Sequence, residues 1–217
     1  HGWQLRLKTM TQPVFRLSVQ PYREIPPLKA EAGTSTCACC GLPDSGVSFS
    51  WRGTDTRICH VCNLLQSLNR PTIDREAILI WCPELDQRQV SALAAHAHLA
   101  LYRASGRKPN AWEQSVTVLA EGREPGMLPQ AGVAAAQTLR TLFARSDEAF
   151  RRLQSSAPSH VSIAMQIADI SRQDVKDGLV FLSDNLKLLP LGRLYDGPDD
   201  IYPDILEARL RLLPHNS

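Results

Sequence analysis

The sequence predicts an α+β protein in which a small zinc-clamped β unit precedes a mostly helical C-terminal layer. Three observations predict this class: two Cys-x-x-Cys pairs near the start of the chain, short segments of alternating apolar and polar residues around them, and longer segments with helical periodicity in the second half. We place the zinc-binding β unit in residues 1–82 and the helical region in residues 83–217, and we expect the two to pack as one compact domain.

The cysteine pairs have the spacing of a structural zinc site. Cys37 and Cys40 form the first pair, Cys59 and Cys62 form the second, and 18 residues separate the two pairs. In such sites each pair makes a tight turn, and the four thiolates surround one tetrahedral ion. Because four sulfur ligands leave no open coordination position, we predict one structural Zn²⁺ here, with no catalytic residue and no other cofactor.

Four thiolates around a dication carry a net negative charge, which nearby donors can offset through hydrogen bonds to sulfur. We expect this role for the basic side chains that stand close by in the sequence, namely Arg52, Arg57, His60 and Arg70.

Other interpretations of the cysteines are weaker. Two disulfides would suit a secreted protein, but the chain shows no apolar signal segment and the spacing favours a metal. Cys39 lies inside the first pair and is an alternative ligand to Cys37 or Cys40, although the two-residue gap favours those two. Cys82 follows an apolar run, which indicates a buried small side chain.

Composition excludes some classes of function. No apolar run reaches the ~18 residues of a membrane span, so we expect no membrane insertion. A net charge of +2 does not predict the concentrated basic face of a nucleic-acid binder. Metal-type cysteine spacing is typical of a reducing compartment, which predicts a cytoplasmic protein.

The zinc unit is predicted to contain three strands and a short helix. Alternation predicts strands at Gln4–Lys8, Val14–Gln20 and Val47–Trp51, and the residues after Cys62 predict a helix at Asn63–Asn69. A knuckle, a hairpin and a helix that starts at the second cysteine pair resemble a treble-clef or ββα-metal unit.

A buried strand at Ile78–Trp81 and a long helix come next. Asp86 with Gln89 predicts a capping box at the start of that helix, and Val90, Leu93, Ala94, Ala97 and Leu101 predict its apolar stripe. His96 and His98 do not share a helix face, so we interpret both as solvent-flanking side chains and not as metal ligands.

Periodicity predicts further helices over Ala111–Ala120, Val133–Gln154 and Pro203–Leu213, and two short helices between His160 and Pro190. In the second of the two short helices, the apolar stripe extends to Leu186. The last helix has apolar residues on two sides, which is typical of a helix docked on a partner. The two short helices suggest a helix-turn-helix, but residues 161–185 contain two basic and four acidic side chains, which disfavours DNA binding.

The main enzymatic alternative is a divalent-metal nuclease of the HNH or ββα-metal type. Such an enzyme needs a general-base histidine between the cysteine pairs. The segment Gly41–Ile58 contains no histidine, and Asp44 and Asp55 are its carboxylates. We therefore predict a zinc scaffold without an active site, with a zinc-containing DNA-binding regulator as a further alternative.

The order of these features resembles the IcmJ/DotN proteins, components of the type IV coupling complex of Dot/Icm-like (type IVB) secretion and related conjugation systems. The matching pieces are Gly41 after the first pair, the Cys-His-Val-Cys of the second pair, Ile80–Leu85 before the long helix, and the segments Ile167–Ser171 and Leu186–Pro190.

This resemblance implies a bacterial cytoplasmic adaptor with an HNH-like fold that lacks nuclease activity. It implies zinc ligation by Cys37, Cys40, Cys59 and Cys62, and binding to the C-terminal region of the coupling ATPase at the inner face of the inner membrane. Other coupling-complex subunits are expected partners, and direct contact with nucleic acid is not expected.

Overall fold

The computed structural model describes residues 13–19, 35–43, 48–123, 126, 128–169 and 184–213. Within them the chain is a mixed α+β structure with small antiparallel sheets, a cluster of four cysteines and a mostly helical C-terminal part, which confirms the predicted fold class. The strand predicted at Gln4–Lys8 lies outside the described residues.

The unit that contains the two cysteine pairs includes a hairpin followed at once by a short helix. Strands β1 (Ser48–Ser50) and β2 (Arg57–Cys59) pair antiparallel, with Phe49 opposite Ile58. Helix α1 (His60–Asn63) begins directly after β2. This gives the knuckle, hairpin and helix order of a treble clef, although the helix starts three residues before the predicted Asn63.

The predicted strand at Val14–Gln20 is wrong for its described residues 14–19, which hold one β-bridge, between Val19 and Ser67. Ser18 donates its backbone N–H to the Leu65 carbonyl (2.9 Å), so this segment lies against a helical turn and not against a strand. The alternation still has a structural meaning, because Phe15 and Leu17 are buried while Val14 is 67% exposed.

The strand predicted at Ile78–Trp81 is confirmed as β3 (Ala77–Trp81), preceded by α2 (Ile73–Glu76). It pairs antiparallel with β4 (Leu186–Pro190), with Leu79 opposite Leu188. The helical interpretation of Leu186 is therefore wrong. Since all five residues of β4 are buried, its sequence has no alternation that marks it as a strand.

Helices and short strands complete the chain. They are α3 (Gln87–Ala104), α4 (Pro109–Ala120), α5 (Gln130–Phe143), α6 (Ser146–Leu153), α7 (Pro158–Asp169), β5 (Tyr195–Asp196), β6 (Asp199–Asp200) and α8 (Tyr202–Leu212). Among the helices of the described ranges, none combines the length and the apolar character needed to cross a bilayer.

Helix α3 connects strand β4 with the other helices of the C-terminal part. Its capping box is confirmed, because Asp86 accepts from the Gln89 N–H and the Gln89 side chain accepts from the Asp86 N–H, each at 2.8 Å. The Gln87 side chain both donates to the Leu188 carbonyl and accepts from the Leu188 N–H, at 2.9 Å. One side chain thus satisfies the backbone N–H and carbonyl of Leu188 on the edge of β4 that faces away from β3.

The single helix predicted over Val133–Gln154 is wrong, since α5 and α6 are separate helices with a break at residues 144–145. The break has a hydrogen-bonding reason. The Arg145 carbonyl accepts from the Trp81 N–H (3.2 Å), and the Ser156 carbonyl accepts from the Leu79 N–H (2.9 Å). The Arg145 carbonyl also accepts from the Ala149 N–H of α6 (3.4 Å), so at the break this carbonyl faces both α6 and the edge of β3.

Candidate metal centre

The four cysteines that the spacing singled out lie together. Cys37 and Cys40 stand in the turn of the first pair, Cys59 ends β2, and Cys62 lies in α1. Their sulfur atoms are all within 4.8 Å of one another, and all four residues are buried. The Sγ atoms of Cys40 and Cys59 are 3.9 Å apart.

These sulfur positions suit a tetrahedral thiolate site. With Zn–S bonds of about 2.3 Å, the edges of an S₄ tetrahedron are about 3.8 Å long. The distance from Cys40 to Cys59 agrees with that edge. Four buried soft donors without an oxygen ligand favour Zn²⁺ over hard cations such as Mg²⁺ or Ca²⁺.

Backbone hydrogen bonds position the first pair. The Gly41 N–H donates to the Cys37 carbonyl (2.9 Å), and Gly41 has a φ of +74°, which favours glycine at this tight turn. The Ala38 N–H donates to the Arg57 carbonyl (3.0 Å), so the first pair is attached to β2. This bond brings the two cysteine pairs together across the intervening hairpin.

Two backbone N–H groups point at one sulfur. The N–H groups of Cys40 and Cys59 lie 3.5 Å and 3.3 Å from Cys37 Sγ. Such donors favour the charged form of a thiol, as a metal site requires.

A buried arginine from the far end of the chain reaches the cluster. Arg209 lies on α8 and is fully buried, and its Nη2 is 2.9 Å from Cys59 Sγ and 3.9 Å from Cys40 Sγ. Burial opposes the charge of Arg209, yet the negative charges of Cys59 and Cys40 outweigh burial and hold the pKa of Arg209 above its ordinary value. The guanidinium therefore stays charged beside the sulfurs.

The direction of the pKa shift at Cys59 agrees with its contact to Arg209. Hydrogen bonds from Cys37, Cys40 and Cys62 hold the pKa of Cys59 well below its ordinary value against the effect of burial, and the charge of Arg209 acts in the same direction. Both effects favour the thiolate form of Cys59.

Two of the side chains that were expected to donate hydrogen bonds to the cysteine sulfurs contact other groups instead. Arg52 lies over the Trp51 ring, and Arg57 donates to the Ser48 and Ser50 hydroxyls at 3.1 Å and 3.3 Å, so the expected sulfur contacts of Arg52 and Arg57 are wrong.

The other two expected donors are buried. Arg70 donates from Nε to Glu76 (2.6 Å). His60 is 1% exposed and packs edge-on against Phe49, with 5.2 Å between ring centroids.

The sequence patterns did not predict the contact of Arg209 with the cysteine cluster, although the sequence around Arg209 contains a local indication of it. Arg209 falls on the same helical face as Ile205, Leu206 and Leu210, all of which are buried. A charge inside an apolar stripe indicates a buried counter-charge. The second apolar side of α8, interpreted above as a partner surface, packs inside this chain.

The second histidine of α3 is also buried, so the prediction that it flanks the solvent is wrong. His98 is fully buried and its Nδ1 lies 2.6 Å from the Tyr202 hydroxyl on α8, whereas His96 is exposed as expected. The rings of Trp112 and Tyr202 stack at 5.9 Å, and His98 meets each of them edge-on. These rings attach α8 to α3 and α4.

Of the carboxylates weighed for nuclease chemistry, Asp55 is exposed on the loop between β1 and β2, and Asp44 lies outside the described residues. Cys39 and Cys82 are buried outside the four-sulfur group. Comparison of the chain with protein-family models and with curated protein sequences gives no match.

Proposed function

We propose that Cys37, Cys40, Cys59 and Cys62 hold one structural Zn²⁺, and that the chain is a non-catalytic adaptor of a type IV secretion or conjugation coupling complex. In this role it binds the C-terminal region of the coupling ATPase in the cytoplasm, at the inner face of the inner membrane. The observation that carries the proposal is the closed cysteine cluster, in which the Arg209 guanidinium contacts the sulfurs of two of the four buried cysteines, Cys59 and Cys40.

A closed cluster supports a structural ion over a catalytic one. Catalytic zinc sites keep one coordination position for water or substrate, and four thiolates fill every position. The group placed against the sulfurs is a guanidinium, which cannot act as a general base. Both features support scaffolding and disfavour hydrolysis.

The surroundings of the hairpin also disfavour a nuclease. The histidine nearest to it, His60, is buried against Phe49, where it cannot reach a phosphodiester. Asp55 is exposed on the loop between the strands, and no histidine lies between the cysteine pairs to act with it. A nuclease of this type needs a base and a metal-binding side chain on one surface.

Two of the segments that carry the family resemblance lie side by side in the structure. Residues 80–81 of Ile80–Leu85 end β3, and Leu186–Pro190 is β4, so two segments more than 100 residues apart in the sequence meet in one ladder, with Trp81 opposite Leu186. Their order in the sequence thus corresponds to one continuous structural feature.

The test is mild affinity purification of the tagged chain from its own bacterium, followed by mass spectrometry. We expect an inner-membrane ATPase and its companion subunits with the wild-type chain, and their loss with Cys59→Ser. Cys39→Ala, which changes a buried cysteine outside the four-sulfur group, is the matched control and should retain the ATPase. A folded, metal-free Cys59→Ser chain that still binds the ATPase would contradict the proposal.

Two other results would replace the adaptor proposal. Nicking of DNA with Mg²⁺ or Mn²⁺ that disappears in Asp55→Ala would identify a nuclease. Strongly salt-dependent binding to duplex DNA, without the ATPase, would identify a DNA-binding regulator.

A further inference from the structure

The four clustered sulfurs differ in the hydrogen bonds that they accept. Cys37 Sγ accepts from two backbone N–H groups, those of Cys40 and Cys59. The Arg209 guanidinium donates to Cys59 Sγ at 2.9 Å and lies 3.9 Å from Cys40 Sγ. Within the part of the chain that the structure describes, no N–H or O–H group donates to Cys62 Sγ. One sulfur of the cluster thus differs from the other three.

We propose that Cys62 is the residue at which a peroxide modifies the zinc-loaded protein. The proposal rests on the zinc site proposed above and adds a means of regulating it. Sulfur bound to zinc is a thiolate, which is the form of cysteine that attacks electrophiles. Hydrogen bonds engage the electron pairs of a thiolate and lower its nucleophilicity, so the sulfur without an N–H donor is the strongest nucleophile of the four.

Solvent exposure favours the same residue. Cys62 is 4% exposed, whereas Cys59, which is next to the Arg209 guanidinium, has no exposed surface. Access to Cys62 is therefore narrow, and it suits a reagent as small as hydrogen peroxide better than a bulky electrophile.

A fifth cysteine lies beside the reactive sulfur. Cys39 is buried and belongs to none of the four ligand positions, and its side chain is in hydrogen-bond contact with Cys62. An oxidised cysteine that has a thiol next to it condenses with that thiol to a disulfide. Cys39 is thus placed to complete the reaction that begins at Cys62.

The reaction has two steps. In the first, Cys62 Sγ attacks one oxygen of the peroxide: an S–O bond forms, the O–O bond breaks, hydroxide leaves, and the sulfur is oxidised to a sulfenic acid. In the second, Cys39 Sγ attacks the oxidised sulfur: an S–S bond forms, the S–O bond breaks, and the hydroxyl leaves as water with the thiol proton of Cys39. One thiolate, one thiol and one hydrogen peroxide yield one disulfide, one hydroxide and one water.

This reaction removes a ligand from the metal site. A sulfur in a disulfide is no longer a thiolate, so the cluster keeps three of its four ligands and no longer holds the ion tightly. Because the binding energy of a structural zinc is also folding energy, oxidation at Cys62 should destabilise the zinc unit. A peroxide would therefore switch off the scaffold, and a thiol reductant with added zinc would restore it.

Peroxide treatment of the zinc-loaded full chain tests the proposal. A colorimetric chelator reports zinc release, dimedone traps sulfenic acid, and peptide mass spectrometry locates the modified cysteines. We expect zinc release with Cys62 modified first, and a disulfide between Cys39 and Cys62. First modification at Cys37, Cys40 or Cys59 would overturn the assignment.

The role of the hydrogen bonds is tested at Arg209. Arg209→Met removes the donor to Cys59 and should raise the rate of Cys59 modification about 10-fold, so that Cys59 competes with Cys62. Arg209→Lys keeps a charged donor and should restore the preference for Cys62. The control is Arg211→Met, which removes an exposed arginine from the same helix and should match wild type. An unchanged rate at Cys59 in Arg209→Met would overturn this role.

Cys39→Ala tests the second step and leaves the buried guanidinium in place. Cys62 should still be modified first, but its sulfenic acid should accumulate and no disulfide should form. The control is Cys82→Ala, which removes a buried cysteine outside the four-sulfur group and should still give the disulfide between Cys39 and Cys62. A disulfide from Cys62 to another cysteine in Cys39→Ala, at the wild-type rate, would overturn the role of Cys39.

The possible failures are distinguishable. A chain purified without zinc would overturn the proposed metal site, and the peroxide reaction with it. A chain that holds zinc and keeps it in excess peroxide, or that releases it with Cys62 unmodified, would overturn the role of Cys62 and leave the zinc site intact.

Discussion

Nη2 of Arg209 lies 2.9 Å from Sγ of Cys59, which joins the last helix to a cysteine 150 residues earlier in the chain. A buried guanidinium and a thiolate at this distance form a charge-assisted hydrogen bond. The contact makes the cysteine cluster part of the core of the whole described structure, and it is the basis for the first prediction.

Cys59→Ser should abolish zinc binding and lower the free energy of unfolding by several kcal/mol, because the change removes a metal ligand and the partner of a buried charge. Zinc content by elemental analysis and urea unfolding followed by circular dichroism measure the two effects. Cys39→Ala should keep the zinc, since its sulfur lies outside the four-sulfur group. Zinc loss in Cys39→Ala would instead make Cys39 a ligand.

The buried ion pair between Arg70 and Glu76 gives a second prediction. Arg70 donates to Glu76 at 2.6 Å, and the other oxygen of Glu76 accepts from the Tyr195 N–H at 2.7 Å. Glu76→Gln removes the carboxylate charge that pairs with the buried Arg70 and should cost roughly 3–5 kcal/mol in urea unfolding.

The matched control for this pair is Glu148→Gln. Glu148 pairs with Arg152 at 2.7 Å on the surface of α6. Because exposed pairs contribute little, the cost should stay below about 1 kcal/mol. Equal costs for the two variants would show that the Arg70 pair is not buried in solution.

Gly192 provides a third prediction. It has a φ of +76°, and an added Cβ would lie 2.7 Å from the Trp112 ring. Gly192→Ala should therefore combine backbone strain with a clash in the core, at a cost of about 2–4 kcal/mol in thermal or urea unfolding.

The control, Gly197→Ala, separates the two causes. Gly197 also has a positive φ, of 58°, but an added Cβ would meet no atom within 4 Å. Its cost should be about 1 kcal/mol, from strain alone. If Gly197→Ala is as costly as Gly192→Ala, the contact with Trp112 is not the cause.

Acid sensitivity gives a fourth prediction. Burial, together with the charge of Arg209, lowers the pKa of His98 from its ordinary value of 6.5 to about 3. The unfolded chain therefore binds a proton at His98 between pH 6.5 and 3 that the folded chain excludes. Stability from this group is present above pH 6.5 and declines as the pH falls through that window, by up to about 1.4 kcal/mol per pH unit.

His98→Gln should be less stable than wild type at pH 7 and should have a shallower slope of unfolding free energy against pH between 6.5 and 5. Urea unfolding at several pH values measures that slope. His96→Gln, at an exposed position on the same helix, is the control for replacing a histidine. An equal change of slope in both variants would contradict the assignment to His98.

Local sequence patterns correctly predicted part of this structure. The capping box at Asp86 and Gln89 depends on four neighbouring residues, and it is present as predicted. The inward side chains of α4, including Trp112 and Leu119, follow from helical periodicity and are buried. The spacing of the cysteine pairs likewise predicted correctly which four residues form the cluster.

Features that depend on distant contacts were not predictable from local patterns. Strand β4 is defined by its pairing with β3, over 100 residues earlier, and its five buried residues lack alternation. The break between α5 and α6 serves the open edge of β3. Arg209 and His98 are buried because α8 folds back onto the cysteine cluster and α3, which no short sequence window contains.

Native mass spectrometry of the intact chain before and after chelation tests the proposed zinc site most directly. We expect one zinc ion per chain, and on chelation a shift from compact to extended charge states. A chain that carries no metal as purified, or that stays compact and keeps its thermal transition after the metal is removed, would contradict the claim that a closed zinc site holds this fold together.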